Sequence, residues 1–277
     1  MYSYKSLVGV PYSQLADCFN LAFSDYFIPM KLSAEGLKVL FEMSCVDRAL
    51  SYGAFVGDEM VGFIFNSCGI YNKQRVVFDV GTGVIPEHRG RRVFTNLFKF
   101  AEQELKNQQV EKYYLEVLQQ NDRAIASYKK QGFEVVREFH VLKSVGLVQE
   151  RTDLNVEYCD LEEFDFGRVS SCACLSPSYE HSTEVIMKNP SLYRVAYSLK
   201  DGNVTAFCVF TKNGGRVIQL GYADIGELRL VIRCVMAEYK NIVVKNLDSS
   251  YTEVLEIFLS LGFTEMCRQF EMVKRIG

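Results

Sequence analysis

The sequence predicts an α+β fold that is divided between two similar domains. A chain of 277 residues is long for one domain and suits two. The N-terminal half alternates segments with the two-residue period of strands and segments with the 3.6-residue period of helices. A helix, a Gly-Phe pair and a strand follow one another around Gly132 and again around Gly262. This recurrence indicates an internal duplication. The alternative is that two unrelated halves both end a helix with Gly-Phe.

The N-terminal half has the clearer periodicities. Helices are predicted over residues 12–23, 33–43, 90–106 and 122–131. Strands are predicted over residues 54–56, 61–66, 75–84, 112–118 and 134–142. Ser33 can cap the second helix, and Gly132 follows the fourth at a position that favours the left-handed conformation. The polar residues 144–153 are the predicted linker, which gives domains 1–145 and 153–277.

Composition and charge exclude several classes of protein. The chain is 48% hydrophobic and 23% charged, which is typical of a globular protein rather than a disordered one. A net charge of −3 argues against nucleic acid as a partner. No apolar run reaches the roughly 18 residues that span a bilayer, and no apolar segment follows the N-terminus as in a secretory signal. We therefore expect a cytoplasmic protein that binds no membrane, and a homodimer stays open.

The cysteines are interpreted as reduced core residues. There are nine of them, an odd number, scattered through both halves. Cys172 and Cys174 form the one close pair, and His181 is the only further ligand candidate nearby. A structural zinc site needs four ligands, so we predict no metal.

Residues 78–94 predict a strand, a turn and the start of a helix. Pro86 ends the strand because it cannot donate to a β-ladder. The first turn of a helix leaves backbone amides unpaired, and these amides attract phosphate. Arg89, Arg91 and Arg92 stand at this positive end of the helix dipole, where each cation costs about 0.3–1 kcal/mol without an anion. The cluster therefore predicts an anion site, and the alternative is a solvated basic turn.

Two glycines inside the preceding strand point to a second feature of the site. Gly81 and Gly83 weaken a strand unless a β-bulge or a close approach of another chain segment requires them. A bulge would turn backbone groups away from the ladder. An extended ligand rich in amides could then pair with the exposed strand edge.

These segments resemble the GNAT (GCN5-related N-acetyltransferase) superfamily over about residues 3–143 and faintly over residues 155–275. The motifs that carry the resemblance are Val84-x-Pro86-Glu87-x-Arg89-Gly90, Leu115-Glu116-Val117 and Asn121-x-x-Ala124-x-x-x-Tyr128-x-x-x-Gly132-Phe133. The resemblance implies two three-layer domains, each with a mixed, mostly antiparallel, twisted sheet flanked by helices. It also implies acetyl-CoA as co-substrate and an amine, small molecule or peptide, as acceptor.

The resemblance assigns roles to individual positions. Backbone amides would hold the pyrophosphate at Arg89, Gly90, Arg91, Arg92, Val93 and Phe94. Val84 and the preceding strand residues would pair with the pantetheine arm, and Ile85 would also contact the cofactor. Asn121 would hydrogen-bond near its reactive end, and Tyr128 would protonate the leaving thiolate. The family usually has small residues at the positions of Arg92 and Phe94. Their bulk could weaken cofactor binding, and the charge of Arg92 could compensate.

Further residues are candidates for chemistry on the acceptor. An amine must be neutral to attack, although a free lysine has a pKa near 10.4. Asp79 and Glu116 are candidate bases, since burial would raise the pKa of Asp79 towards neutrality. Both could instead be structural, and a water chain could serve as base. Asp25 and Tyr26 lie in the connection between the first two helices and could bind the amine or simply order that loop.

The second domain is expected to lack the site. Aligning the Gly-Phe pairs places Tyr251 at the position of Asn121 and Phe258 at that of Tyr128. Residues 220–227 match the arginine segment but contain two acids and no arginine. We therefore predict an N-acetyltransferase that works by direct attack in a ternary complex. The alternatives are a CoA-binding regulator or pseudoenzyme and a purely structural adaptor.

Overall fold

The computed structural model describes residues 1–27, 30–144, 155–169 and 172–277. Of the predicted linker, only Ser144 belongs to the described residues, and it exchanges hydrogen bonds with Ile242. The rest of the linker lies outside them. Within the described ranges, no helix is long and apolar enough to cross a membrane.

The chain forms two compact units from interleaved segments. Unit 1 contains Met1–Glu116, Asp122–Glu134 and Met272–Gly277, and unit 2 contains Val117–Asn121 and Val135–Glu271. This division differs from the consecutive domains 1–145 and 153–277 expected from the sequence. The last residues belong to unit 1 because the Ile276 amide donates to the Glu111 carbonyl and Lys274 pairs with Glu102. A catalytic and a degenerate domain with the expected boundaries stay a prediction.

Strands and helices alternate along both halves. The N-terminal elements are β1 (Tyr2–Ser6), α1 (Tyr12–Ala22), α2 (Ala34–Met43), β2 (Tyr52–Val56), β3 (Glu59–Tyr71), β4 (Gln74–Val84), α3 (Val93–Asn107), β5 (Lys112–Leu118), α4 (Asp122–Lys130) and β6 (Glu134–Lys143). The C-terminal elements are β7 (Val156–Asp160), β8 (Ala173–Cys174), α5 (Thr183–Ile186), β9 (Tyr193–Lys200), β10 (Asn203–Thr211), β11 (Val217–Tyr222), α6 (Ile225–Glu238), β12 (Val243–Asp248), α7 (Thr252–Ser260) and β13 (Thr264–Arg275).

Unit 1 has a mixed sheet with helices on both faces. Its strands run in the order β1-β2-β3-β4-β5, antiparallel except for the parallel pair β4–β5. On β3, Phe65 stacks on Phe19 of α1 and packs edge-to-face with Phe41 of α2. The next residue, Asn66, points to the opposite face and accepts a hydrogen bond from Tyr113, which packs on α3. The mixed α+β fold predicted for this half is confirmed.

Unit 2 has the same kind of sheet, with both faces covered. Strands β7, β9, β10 and β11 are antiparallel neighbours in that order, and β11 pairs in parallel with β12. Along β10, Cys208 and Phe210 join the core beneath α6, while Phe207 and Val209 join a second core on the other face. This alternation follows from the two-residue period of a strand.

The recurrence seen in the sequence has a structural counterpart. Gly132 and Gly262 end their helices with φ values of +87° and +88°. The Phe133 amide donates to Tyr128, and the Phe263 amide donates to Phe258, at 3.1 and 3.0 Å. The predicted left-handed helix end at Gly132 is thus confirmed.

Two elements differ from the sequence prediction. The edge strand β1 was not predicted, because its five residues alternate aromatic and polar side chains without a hydrophobic run. Helix α3 begins at Val93 instead of Gly90, because Gly90 and Arg92 have left-handed φ values of +73° and +60°. The intervening residues form a loop after a short 3₁₀ helix, Pro86–His88.

Candidate functional site: an open strand edge and an uncapped helix

The edge of β4 that faces β5 is only partly used. The two strands pair at Val76, Val77 and Phe78, and no further pair between them is found in the described ranges. Strand β4 nevertheless continues to Val84, still paired with β3 on its other side. A stretch of β4 beyond Phe78 therefore presents backbone groups to a cleft rather than to a neighbouring strand.

The register of β4 decides which backbone groups face this cleft. The Ile85 amide donates to the Val61 carbonyl at 3.0 Å, so Gly62 and Val84 form a pair without mutual hydrogen bonds. The amide and carbonyl of Val84 thus point away from β3, and by alternation those of Thr82 do as well. The predicted cofactor contact of Val84 stays a prediction. The Ile85 amide is already engaged with β3, so the predicted cofactor contact of Ile85, which stays a prediction, would involve its other atoms.

Both reasons for glycine in β4 are present. Phe65 pairs with Gly81 while Asn66 pairs with Asp79, so one residue of β4 is bulged out at this point. At Gly83, a Cβ atom would lie 2.8 Å from the Cβ atom of Ala22, which is too close for any side chain. The predicted bulge and close approach are confirmed.

The start of α3 leaves its first amides unused. Its N-terminal flanking residue, Arg92, provides no side-chain cap, and no acidic residue stands in the first turn. The first hydrogen bond found at this end runs from the Asn96 amide to the Arg92 carbonyl at 3.0 Å. In the described part of the chain, no partner is found for the amides of residues 90–95. Unpaired amides at a helix start form an anion-binding site.

Arg89 is engaged within the protein rather than directed at this site. Its guanidinium donates to the Val84 and Ala22 carbonyls at 2.9 and 2.8 Å and forms a two-point ion pair with Asp25. Its amide donates to Pro86. The bonds from Arg89 hold the pKa of Asp25 below its usual value. Arg89 therefore joins the end of α1 to the end of β4, which revises its predicted contact with the cofactor. Of the predicted cations, Arg91 and Arg92 are left beside the amides.

Tyr128 and Asp79 meet at the inner end of the open edge. Thr82 donates a hydrogen bond to Asp79 Oδ2 at 2.7 Å, and the Tyr128 hydroxyl lies 3.5 Å from the same oxygen. The Tyr128 ring is held edge-to-face by Phe94 and Phe133, with centroids 5.6 and 5.7 Å apart. The bulk of Phe94 thus supports the Tyr128 ring.

Burial sets the proton affinities of this pair. It raises the pKa of Asp79 to about 7, and the hydrogen bonds from Thr82, the Gly81 amide and Tyr128 offset only part of the effect. Asp79 Oδ1 is buried and has no hydrogen-bond partner among the described residues. Burial, followed by the charge of Asp79, raises the pKa of Tyr128 well above 10. The expectation that the pKa of Asp79 is close to neutral is confirmed, and its role as a base stays a prediction.

Comparison with known proteins identifies the fold. The family model described as "Acetyltransferase (GNAT) family" matches residues 15–133. A GCN5-related N-acetyltransferase from Sphaerobacter thermophilus has a similar structure, with a TM-score of 0.70 and 16% identity, over 99% of this chain and 96% of that one. A tandem GNAT protein from the clavulanic acid biosynthesis pathway has a TM-score of 0.66 and 11% identity, over 100% and 99% of the two chains. Residues 15–133 therefore match the GNAT acetyltransferase family, and the chain as a whole has a fold similar to these GNAT structures. A search of curated proteins found no match.

A segment of its own chain occupies part of the open side of β11 in unit 2. Strands β11 and β12 are paired only at Val217 and Val244. Beyond this point β8 pairs with β11, and the Leu175 amide donates to the Leu220 carbonyl at 3.1 Å. The next amide, of Ser176, donates to the Tyr251 hydroxyl at 2.8 Å. Residues 173–178, which we call the plug, therefore occupy the open side of β11.

Side chains of unit 2 hold the plug in place. Arg137 donates to the Ser176 and Pro177 carbonyls at 3.0 and 3.2 Å and pairs with the buried Glu271. Asn246 donates to the Ser178 hydroxyl at 2.9 Å. The polar backbone groups of the plug are thus matched by groups of the unit itself.

Helix α6 also lacks the features of an anion site. The connection from β11 to α6 is only residues 223–224, against residues 85–92 between β4 and α3. The Asp224 carboxylate caps the helix and accepts from the Gly226 and Glu227 amides at 2.7 and 3.2 Å. A capped, acidic helix start disfavours phosphate.

The remaining predicted residues have different positions. Tyr113 pairs with Val77 and so shares a sheet face with Asp79, two residues further along β4. Glu116 is three residues from Tyr113 on β5 and therefore lies on the opposite face. Asn121 precedes α4 in the segment that belongs to unit 2. Tyr26 packs edge-to-face on Phe23, and its charge would act on Tyr128. The roles predicted for these residues stay predictions.

Sequence reasoning missed two parts of the site. The bond from Thr82 to Asp79 was not predicted, although their three-residue spacing across a bulge was the available signal. The Arg89–Asp25 pair joins residues 64 positions apart, which no local pattern reveals. No cluster of three or more metal-ligating side chains is found among the described residues.

Proposed function

We propose that unit 1 binds acetyl-CoA and transfers its acetyl group to a primary amine by direct attack in a ternary complex. The observation that carries the proposal is the continuity of three features: the uncapped start of α3, the open edge of β4 and the Tyr128–Asp79 pair. A diphosphate, an amide-rich arm and a thioester need these features in this order.

The residues of the chain fit acetyl-CoA. The free amides of residues 90–95, together with Arg91 and Arg92, would hold the diphosphate. The inward-facing backbone groups of Thr82 and the amide of Val84 would pair with the arm, since the Val84 carbonyl already accepts from Arg89. When bound, acetyl-CoA supplies an activated acetyl thioester. Arg89 supports this arrangement indirectly, because it fixes the loop between β4 and α3.

The transfer removes one proton from the amine and adds one to the thiolate. A carbon–nitrogen bond forms and a carbon–sulfur bond breaks, the nitrogen loses a proton and the thiolate gains one. Tyr128 is the proposed acid, since its hydroxyl is neutral over the whole physiological range. The acceptor must supply an unprotonated amine, and Tyr26 on the loop after α1 is the proposed contact for it. Asp25 is bound to Arg89 and is not included in this role.

The test is thiol release from acetyl-CoA across a panel of small amines, amino sugars and peptides. We expect the wild type to release thiol faster than the buffer blank with at least one amine. Tyr128→Phe should lower kcat about 100-fold or more, the range typical of general acid catalysis. Tyr4→Phe is the matched control, because Tyr4 packs on Phe100 away from the site. Binding of acetyl-CoA without any transfer would favour a CoA-binding regulator and contradict the proposal.

A further inference from the structure

The carboxylate of Asp79 is directed at the Tyr128 hydroxyl. Both contacts of Oδ2, with Thr82 at 2.7 Å and with Tyr128 at 3.5 Å, lie on one side of the sheet. A separation of 3.5 Å is long for a hydrogen bond between oxygens, but such contacts often shorten when a substrate closes the site. Oδ1 is buried and lacks a partner within the described ranges, so a negative charge on this carboxylate is incompletely stabilised and Oδ2, the oxygen beside Tyr128, can carry a proton.

The groups that face the pair are phenols. Tyr113 on β5 and Tyr128 on α4 both feel the charge of Asp79, and Tyr26 acts on Tyr128 from the loop after α1. The shift of the Asp79 pKa comes from burial and hydrogen bonds, and no basic side chain is among its causes. An ionised Asp79 is therefore held mainly by Thr82 and the Gly81 amide.

We infer that Asp79 is a positioning residue that acts through Tyr128. It holds the phenol in place and, with its own proton, replaces the proton that the phenol gives to the thiolate. This inference rests on the transfer proposed above. It replaces the idea that Asp79 is a separate base that deprotonates the amine.

The proton balance of this sequence closes. The Tyr128 hydroxyl gives its proton to the thiolate, and the protonated carboxyl of Asp79 gives its own proton to the phenolate oxygen. The phenol is restored, and Asp79 is left as a carboxylate that accepts from Thr82. The amine nitrogen loses one proton to solvent, and Asp79 takes one from solvent. A phenolate at this position would be unfavourable, because burial raises the pKa of Tyr128 well above its ordinary value.

The first experiment is a double-mutant cycle on kcat with the best amine of the panel. Asp79→Asn keeps the shape of the side chain but cannot return a proton. We expect a loss of about 10- to 100-fold in the wild-type background and less than about threefold in the Tyr128→Phe background, because residues that act as a unit are not additive. Losses that multiply in the double variant would overturn the inference. Asp58→Asn, in the exposed β2–β3 hairpin, is the matched control for the substitution.

The pH profile adds a readout that a structural role would not move. The protonated form of Asp79 is the active one and is present below its pKa of about 7. The ratio of wild-type to Asp79→Asn kcat should therefore fall as pH rises through 7, and this ratio cancels the ionisation of the amine. A ratio that is constant from pH 5.5 to 8.5 would contradict the inference.

A measurement without turnover separates this inference from the proposed function. In protein with ¹³C-labelled tyrosine rings, the Tyr128 signal, assigned by its loss in Tyr128→Phe, should shift with a midpoint near pH 7. The shift should vanish in Asp79→Asn and persist in Asp58→Asn. If it is absent from the wild type, the two groups are not coupled and the inference is wrong. If it is present while no amine is acetylated, the proposed function fails instead.

Discussion

The two units of this chain differ at two equivalent features, the start of a helix and the edge of the strand before it. In unit 1 the start of α3 is uncapped, and the edge of β4 that faces β5 has no strand partner beyond Phe78 in the described ranges. In unit 2 Asp224 caps α6, and the plug pairs with the edge of β11. Unpaired donors are costly unless water or a ligand meets them. The comparison indicates that unit 1 keeps its backbone groups available for a ligand, while unit 2 satisfies them internally.

The same contrast extends to the ends of the two clefts. Tyr128 is half-buried and its hydroxyl reaches Asp79, whereas Phe258 is fully buried against Phe263. Tyr251, which aligns with Asn121, holds the amide of Ser176 in the plug. The residue that aligns with Asn121 therefore has a structural role in the second unit, because its hydroxyl helps to hold the plug.

The largest effect is expected from releasing the plug. Arg137→Ala removes the partner of Glu271, which is only 2% exposed, and two donors to the plug. We expect the free energy of unfolding to fall by about 3–5 kcal/mol, as for other broken buried pairs, measured by urea denaturation. Arg229→Ala, which loses an exposed contact with Ser260, is the control and should change stability little. A loss below about 1 kcal/mol for Arg137→Ala would show that the plug is not held as described.

A smaller effect is expected from the clamp in unit 1, by which we mean the hydrogen bonds from Arg89 to Val84, Ala22 and Asp25. Arg89→Ala leaves the Val84 and Ala22 carbonyls without their donor, so the loop before α3 should loosen. We expect acetyl-CoA to bind about tenfold more weakly by calorimetry, which corresponds to about 1.4 kcal/mol. Arg89→Lys separates the clamp from a simple charge effect, because lysine keeps the charge without the guanidinium fork. If Arg89→Lys bound like the wild type, the cation itself rather than the clamp would be responsible.

The smallest effect on stability is expected from the backbone of the loop between β4 and α3. Arg92 has a φ of +60°, a conformation that costs a residue with a side chain roughly 1–2 kcal/mol and glycine almost nothing. Arg92→Gly should therefore raise the free energy of unfolding by about 1 kcal/mol. Arg91→Gly, the matched control, removes the same charge without relieving strain and should be neutral or slightly destabilising. Equal stability changes in the two variants would contradict this explanation.

Local patterns in the sequence predicted much of unit 1. The periodicity of residues 12–23 and 112–118 gave two elements nearly to the residue, and the glycines of β4 correctly indicated a bulge and a close approach. The strand β1 and the start of α3 were less accessible, because an edge strand has no hydrophobic run and left-handed φ values at arginine have no sequence signature.

Contacts between distant residues set the limit of the prediction. The clamp joins Arg89 to Asp25, and the plug depends on Arg137, which lies 39 residues before Ser176. Composition and spacing do not encode such pairs, since they depend on how the strands are ordered in the sheet. Missing residues predicted that the second half has no cofactor site, and this stays a prediction. The structure adds a segment that pairs with β11, which spacing did not reveal.

Calorimetric titration of acetyl-CoA into the full chain tests the contrast between the units most directly. We predict one molecule bound per chain, with an affinity that Arg89→Ala weakens and Tyr251→Phe, a mild change at the plug, leaves unaltered. Binding of two molecules, or of one that depends on Tyr251 and not on Arg89, would contradict the assignment of the site to unit 1. No binding at all would contradict the account of the open cleft.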